Sequence, residues 1–255
     1  SGFAWWPMEQ TPLKHPQFFY TTAPLPCPYL PDRLERKIVT ELSVPDSEKL
    51  HEVLAKGGFR RSHSIAYAPA CPGCKACVPV RVDTASFERR RSLARTWKRN
   101  ADITVQVVPS RATSEQFELF SEYQHSRHAG SDMANMGFYE YSSMVEDSPI
   151  DTYMAEFRSP GGDLIAVCII DQTDDGLSAV YSFFTPVSDR EGLGNFVILW
   201  LIEYAKTLAL PYVYLGYLIT ESPKMAYKTR FKPLEGLGPD GWSILPTDAA
   251  PTGTE

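Results

Sequence analysis

The segment that most limits the fold runs from Asp151 to Ile219. Three strand-like runs, "DTYMAEFR", "DLIAVCIIDQT" and "LSAVYSFFTP", are separated by turn signals at Pro160-Gly161-Gly162 and Asp174-Asp175-Gly176. The turn "DREGLG" then precedes an apolar run, "NFVILWLIEYAKTLAL", too long for a strand, and "YVYLGYLI" reads as a buried strand. Strand, strand, strand, helix, strand is an α/β order.

The rest of the chain continues the pattern. "PQFFYTTAPLPCPYLP" holds five prolines and is an extended, turn-rich arm. "DRLERKIVTEL" fits a short helix or a strand. Asp46 is placed to cap a helix in which Leu50, Val53 and Leu54 share a face and Gly57-Gly58 ends it. "SIAYAPAC" and "ACVPVRVDTASF" predict two strands joined by a cysteine loop, and "ITVQVVP" alternates as a strand. "SEQFELFSEYQHSRHAG" predicts a helix with Phe117, Phe120 and Tyr123 on one side, and a short helix is expected near Tyr139 to Val145. Together these predict an α/β (α+β) chain with the core order of a GNAT-type acyltransferase, plausibly as two such halves. The expected parts are residues 1–105, 106–243 and a disordered tail over 244–255. "SGFAWWP" is set aside as an irregular leader.

The longest apolar run, Val197 to Ile202, stops at Glu203, far short of a membrane span, and no secretory signal pattern opens the chain. Five cysteines, three of them in "ACPGCKAC", suit a reducing compartment better than a disulfide framework. Cys71, Cys74, Cys77 and the distant Cys27 make the four thiols that a structural zinc or iron–sulfur cluster needs. Free, partly buried thiols or a redox pair are the other readings, and Cys168 belongs to the core.

A net charge of −6 excludes a uniformly basic surface, yet Arg89 to Arg99 carries six cations and no acid. Arg91, Arg95 and Arg99 fall at i, i+4, i+8, with Leu93 and Trp97 turned inward. Such a face takes phosphates or is simply solvated. Arg190 at the glycine turn could join a helix N-terminus in binding an anion. Arg81, four residues beyond the cysteine loop, suits a bidentate grip on a carboxylate or a plain surface position. Tyr217 and Lys228 follow the last buried strand, where α/β sheets bind ligands.

Long blocks, among them "GGFRRSHSIAYAPACPGCKACVPVRV", "RRRSLARTWKRN", "SDMANMGFYEYSSMVEDS", "LGNFVILWLIEYAKTLALPYVYLGY" and "SPKMAYKTRFKPLE", resemble the bacterial aminoacyl-tRNA–protein transferases. These are the aspartate/glutamate leucyltransferases, relatives of the eukaryotic arginyl-tRNA–protein transferases, and the likeness spans about residues 16–243. It implies a GNAT-like fold, a cytoplasmic location and transfer of leucine from leucyl-tRNA to proteins beginning with Asp or Glu, which marks them for degradation. No cofactor is required. In the eukaryotic relatives an N-terminal cysteine cluster is linked to metal binding through a first C-x2-C pair, but here Leu30 stands three residues after Cys27.

On this reading Arg81, Arg91 and Lys228 hold the acidic residue, with Tyr67 and Tyr217 as walls. Arg95, Lys98, Arg99 and Arg190 hold tRNA, and Phe183, Phe184 and Tyr214 line the leucyl pocket. Cys27, Cys71, Cys74 and Cys77 are the metal candidates. The rival readings are arginine as the donated residue, a coenzyme A-dependent acetyltransferase using the Arg190–Gly194 turn, and a metal-tied RNA-binding module.

Overall fold

The computed structural model describes residues 15–187 and 189–246, so the leader "SGFAWWP" and most of the expected tail lie outside it. The N-terminal part runs β1 (Tyr20–Thr21), β2 (Leu25–Pro26), β3 (Leu34–Glu35), β4 (Lys37–Glu41), α1 (Ser47–Lys56), β5 (Arg60–Ser62), β6 (Ile65–Pro69), β7 (Val78–Asp83) and α2 (Arg91–Arg99). Then follow β8 (Thr104–Pro109), α3 (Ser114–Arg127), α4 (Phe138–Glu146), β9 (Thr152–Arg158), β10 (Leu164–Gln172), β11 (Gly176–Phe184), α5 (Leu193–Thr207), β12 (Tyr212–Leu218), β13 (Leu234–Gly238) and β14 (Gly241–Ile244). Short 3-10 helices cover Asp132–Asn135 and Pro223–Arg230.

The undecided stretch "DRLERKIVTEL" is strand, β3 and β4. In α1 the buried stripe is Leu50, His51, Leu54 and Ala55, which leaves Val53 60% exposed, outside the face expected for it. Asp46 does occupy the N-cap position, but at φ +60 and with no side-chain cap bond. Thr113 and Gln116 cap α3 reciprocally instead.

Two sheets carry the molecule. A four-stranded antiparallel sheet has the order β1-β4-β6-β5, and an eight-stranded sheet has the order β14-β13-β7-β12-β11-β10-β9-β8. Strands β9, β10 and β11 are antiparallel, α5 crosses over, and β12 returns parallel to β11. This is the GNAT-type core order expected from Asp151 to Ile219. Residue 105 falls inside β8, and β7 pairs with β12 and β13, so both ends of the chain build the larger sheet. β14 runs through Ile244, and the Leu245 N–H donates to the Leu234 carbonyl at 2.8 Å, so paired structure extends past the expected start of the tail.

Strand β10 shows why its sequence is almost continuously apolar. Ala166, Cys168 and Ile170 pack in the core beneath α5, while Val167 and Ile169 join Phe120, Tyr123, Tyr141 and Phe183 on the opposite face. With helices on both faces, Leu164 to Ile170 are all apolar, and polar residues enter only at the end of the strand, where Arg61 holds Asp171.

Candidate active site

The site is set by a gap in the larger sheet. β11 and β12 pair only over Gly176–Ser178 and Tyr212–Tyr214, and β12 then bulges against β7 between Tyr214 and Tyr217. Gly216, at φ +79, forms the bulge. A Cβ there would meet the Arg60 Nη1 at 2.9 Å. Arg60 enters the gap from β5, and its Nη2 donates to the carbonyls of Ala179 (2.8 Å) and Val180 (3.3 Å). Its Nη1 is buried without a protein acceptor among the described residues, beside a cavity of about 20 Å³ that Gly58, Ser178 and Gly216 also line.

Lys228, only 4% exposed, donates from Nζ to the Tyr217 carbonyl at 2.5 Å. Burial, and after it the Arg60 charge, lower its ammonium to about 7, with Cys77 opposing weakly. Tyr217 braces this end of β12, its hydroxyl donating to the carbonyls of Gly58 (2.8 Å) and Tyr67 (3.3 Å). Tyr29, Tyr217 and Tyr227 are raised chiefly by burial and share Arg60 as the neighbouring charge. Tyr227 also lies 5.8 Å from the Lys228 Nζ and within electrostatic reach of Tyr123. Beyond Tyr123 a cationic rim begins. The Arg127 guanidinium rests on the rings of Phe184 (4.7 Å) and Tyr123 (5.8 Å) and has no ion pair among the described residues. Burial and the charges of Lys224 and Arg127 lower His128. The result is a cluster of tyrosines around a buried amine lowered to about 7, with Arg127 resting on Tyr123 at its edge.

Of the residues expected at the acidic-residue subsite, Tyr67, Tyr217 and Lys228 come together here and the two arginines do not. Arg81 is consumed internally: its Nε donates to Glu235 at 2.9 Å, Nη1 reaches the Tyr214 hydroxyl at 3.4 Å, and the guanidinium lies 3.5 Å from the Tyr212 ring and 4.3 Å from Trp242. Strand β7 has neighbours on both edges and packing on both faces, so the alternation of "VPVRV" gives Arg81 no exposed side. Arg91 stands exposed on α2.

The three residues expected to line the leucyl pocket are not brought together. Phe183 is fully buried between Phe120 and Tyr141, Tyr214 donates to Asp175 at 2.9 Å, and Phe184 is the platform under Arg127. On α2, Leu93 and Trp97 do turn inward, Trp97 onto Phe196, and Arg91, Arg95 and Lys98 face solvent. Arg99 pairs with Glu191 at 2.7 Å and Arg190 with Asp102 at 2.5 and 2.6 Å. These two ion pairs and the Thr96 side chain, 3.0 Å from any Cβ added at Gly192, cover the start of α5. The turn that would hold a coenzyme A pyrophosphate is occupied by α2, which speaks against the acetyltransferase reading.

The four cysteines share one corner: burial, then Cys71, Cys27 and Cys74, push the Cys77 thiol up to about 11. They do not converge as ligands. Cys71 is bonded to the Arg36 backbone, Cys74 accepts from the Arg33 guanidinium at 3.3 Å, and among the described residues no three His, Cys, Asp or Glu side chains are placed to hold a metal ion. This arrangement of thiols does not fit a zinc ion or a cluster. Cys168 is sealed in the core with its thiol at about 12.

Nothing in the sequence singles out Arg60, Tyr29 or Arg127. Arg60 stands one residue from Arg61, whose partner is deep in the core: Arg61 grips Asp171 through Nε (2.7 Å) and Nη2 (2.9 Å). Only strand alternation after Gly58 separates their roles.

Models of the arginine-tRNA-protein transferase match in two places, the N terminus over residues 25–95 and the C terminus over residues 115–238. The aspartate/glutamate leucyltransferase of Paramagnetospirillum magneticum is 60% identical over 95% of this chain and 100% of that protein. That of Rhodospirillum rubrum is 58% identical, covering 92% of this chain and 96% of that protein. Among solved structures, L-PGS from Bacillus licheniformis aligns with a TM-score of 0.49 at 13% identity, over 69% of this chain and 61% of that one. With its GNAT-type core order and relatives of this identity over nearly their whole length, the chain belongs to the aspartate/glutamate leucyltransferase family.

Proposed function

We propose that this leucyltransferase takes leucine from leucyl-tRNA and joins it to the α-amine of proteins that begin with Asp or Glu, making an N-terminal degradation signal. Cytoplasm, where charged tRNA is made, is the setting; among the described residues no helix is long and apolar enough to cross a membrane. The observation that carries the reading is a buried amine, Lys228, bonded to the Tyr217 carbonyl and set beside Tyr227, with Arg127, free of ion pairs among the described residues, resting on Tyr123.

The aminoacyl ester is already activated, so the protein's task is alignment and one proton transfer, and alignment alone is worth about 7–11 kcal/mol. Arg127, with Lys224 beside it, receives the acceptor's side-chain carboxylate. The α-ammonium then lies against Lys228. The α-ammonium gives one proton to solvent, the neutral amine attacks the ester carbonyl while neutral Lys228 takes a second proton from its nitrogen, and the bond between the carbonyl carbon and the ribose oxygen breaks. The Lys228 ammonium returns the proton to the departing ribose oxygen. Arg60 keeps the Lys228 proton loosely held, which matches the base to the acceptor amine's pKa of about 7.7–8.0. A thiol intermediate has no support at Cys77, whose thiol stays protonated at neutral pH.

The test is transfer of labelled leucine from leucyl-tRNA, with arginyl-tRNA in parallel, to peptides starting with Asp, Glu or Asn. We expect leucine on the Asp and Glu peptides alone, and Lys228→Met to lose activity. Transfer of arginine, or of leucine to the Asn peptide at an equal rate, would defeat the reading.

A further inference from the structure

On the face away from α1, the four-stranded sheet carries an exposed ring at its β1 edge and half-buried side chains across its other strands. Its register places Tyr20, Val39, Tyr67 and Arg60 side by side, one from each strand, in a single row on one face. The opposite face is the packed one: Ala66 and Thr40 are buried there, Phe19 meets Phe59 edge-on at 6.1 Å, and α1 covers it. The row therefore starts at an exposed ring (Tyr20, 63% exposed) and ends at the guanidinium in the β11–β12 gap. Phe18, two residues before Tyr20, is 66% exposed as well. Lys37 lies 5.3 Å from the Tyr67 ring centroid, and its charge is shared with Glu35 at 3.5 Å.

Exposed aromatic rings on an open sheet are costly to keep in water unless something stacks on them. Three inter-strand gaps of about 4.7–4.9 Å put Tyr20 roughly 14 Å from Arg60. RNA-binding sheets of four strands stack two or three unpaired bases on their aromatic residues across a similar width. The charge on this face is mixed, so ring stacking rather than phosphate capture has to hold the ligand. An acceptor polypeptide would need main-chain partners or side-chain pockets, which a flat face does not supply.

We propose that this face, through Tyr20 and Tyr67, is the platform on which the unpaired 3′ end of the donor RNA lies, leading its terminal aminoacyl ester to Lys228. The proposal rests on aminoacyl-tRNA being the donor.

The experiment measures binding of uncharged leucine tRNA, intact or stripped of its unpaired 3′ nucleotides, by wild type, Tyr20→Ala and Tyr20→Trp. KM values for leucyl-tRNA and for an Asp-starting peptide are determined alongside. Loss of one stacked base predicts about tenfold weaker binding of intact tRNA by Y20A. No further loss is expected with trimmed tRNA, the peptide KM should stay constant, and Y20W should restore affinity. Equal affinity of the wild type for intact and trimmed tRNA would overturn the platform even with transfer normal. A raised peptide KM in Y20A, with tRNA binding intact, would overturn it too and give the face to the acceptor chain. If binding responds as expected but wild type transfers no leucine, it is the donor reading that fails.

Discussion

At the scale of single residues, burial decides which cations do chemistry. Lys228 has its ammonium lowered to about 7 against an unfolded value of about 10.5. Between those values the unfolded chain binds the proton and the folded one does not. The protein is therefore destabilised by this group below pH 7, and that cost is relieved as pH rises through the window. Lys228→Met is expected to abolish transfer while melting no earlier than wild type at pH 6, which a thermal scan reads directly. The pH profile of kcat/KM should rise through a group near 7, and Arg60→Gln should move that group upward by removing the neighbouring charge. An unmoved profile would take Arg60 out of the argument. Arg81, the sequence's first candidate for acid recognition, is instead a strut. Arg81→Ala strands Glu235 and should cost about 3 kcal/mol in a urea titration.

Secondary elements were readable because their patterns are local, and the ambiguous ones were those whose surroundings are not. The β9-β10-β11-α5-β12 order followed from apolar runs and turn residues. Whether "DRLERKIVTEL" was strand depended on β1 and β6 flanking it, which no local pattern shows. Strand alternation predicts that Arg60 and Arg61 face opposite ways, but not that one meets the carbonyls of β11 and the other a buried Asp171. The Arg61–Asp171 pair, both side chains 1% exposed and further bonded by Thr152 at 2.6 Å, ties the small sheet to the large one. Arg61→Ala leaves a buried carboxylate without its partner and should cost about 3–5 kcal/mol, seen as an early chemical denaturation midpoint. Helix α2 was legible as basic and in its inward Leu93 and Trp97, but the ion pair at its end was not. Arg99 is drawn to Glu191, and Arg91, Arg95 and Lys98 are left outward. If that face meets tRNA, Arg95→Ala with Lys98→Ala should reduce the salt slope of binding by about two. A slope equal to wild type would mean that α2 faces away from the RNA.

Across the whole molecule, the arrangement departs from a coenzyme A-dependent enzyme in two places at once. The gap between β11 and β12 holds Arg60, and the turn before α5 is covered by Thr96 and two ion pairs. Coenzyme A should accordingly leave the melting temperature unchanged. The tyrosine cluster instead joins the small sheet, the end of β12 and the turn after it, with Arg127 at the end of α3. No continuous motif holds these residues, which is why Tyr67, Tyr217 and Lys228 stand apart in the sequence and Arg127 carries no signal there. The most direct measurement is the ratio of kcat/KM for an Asp-starting over an Asn-starting peptide, in wild type and in Arg127→Gln. A strong preference for Asp in the wild type that collapses toward unity in the variant, through a loss of about 30-fold or more on the Asp peptide, is the expected result. An undiminished preference in Arg127→Gln would contradict the placement of acid recognition at this rim.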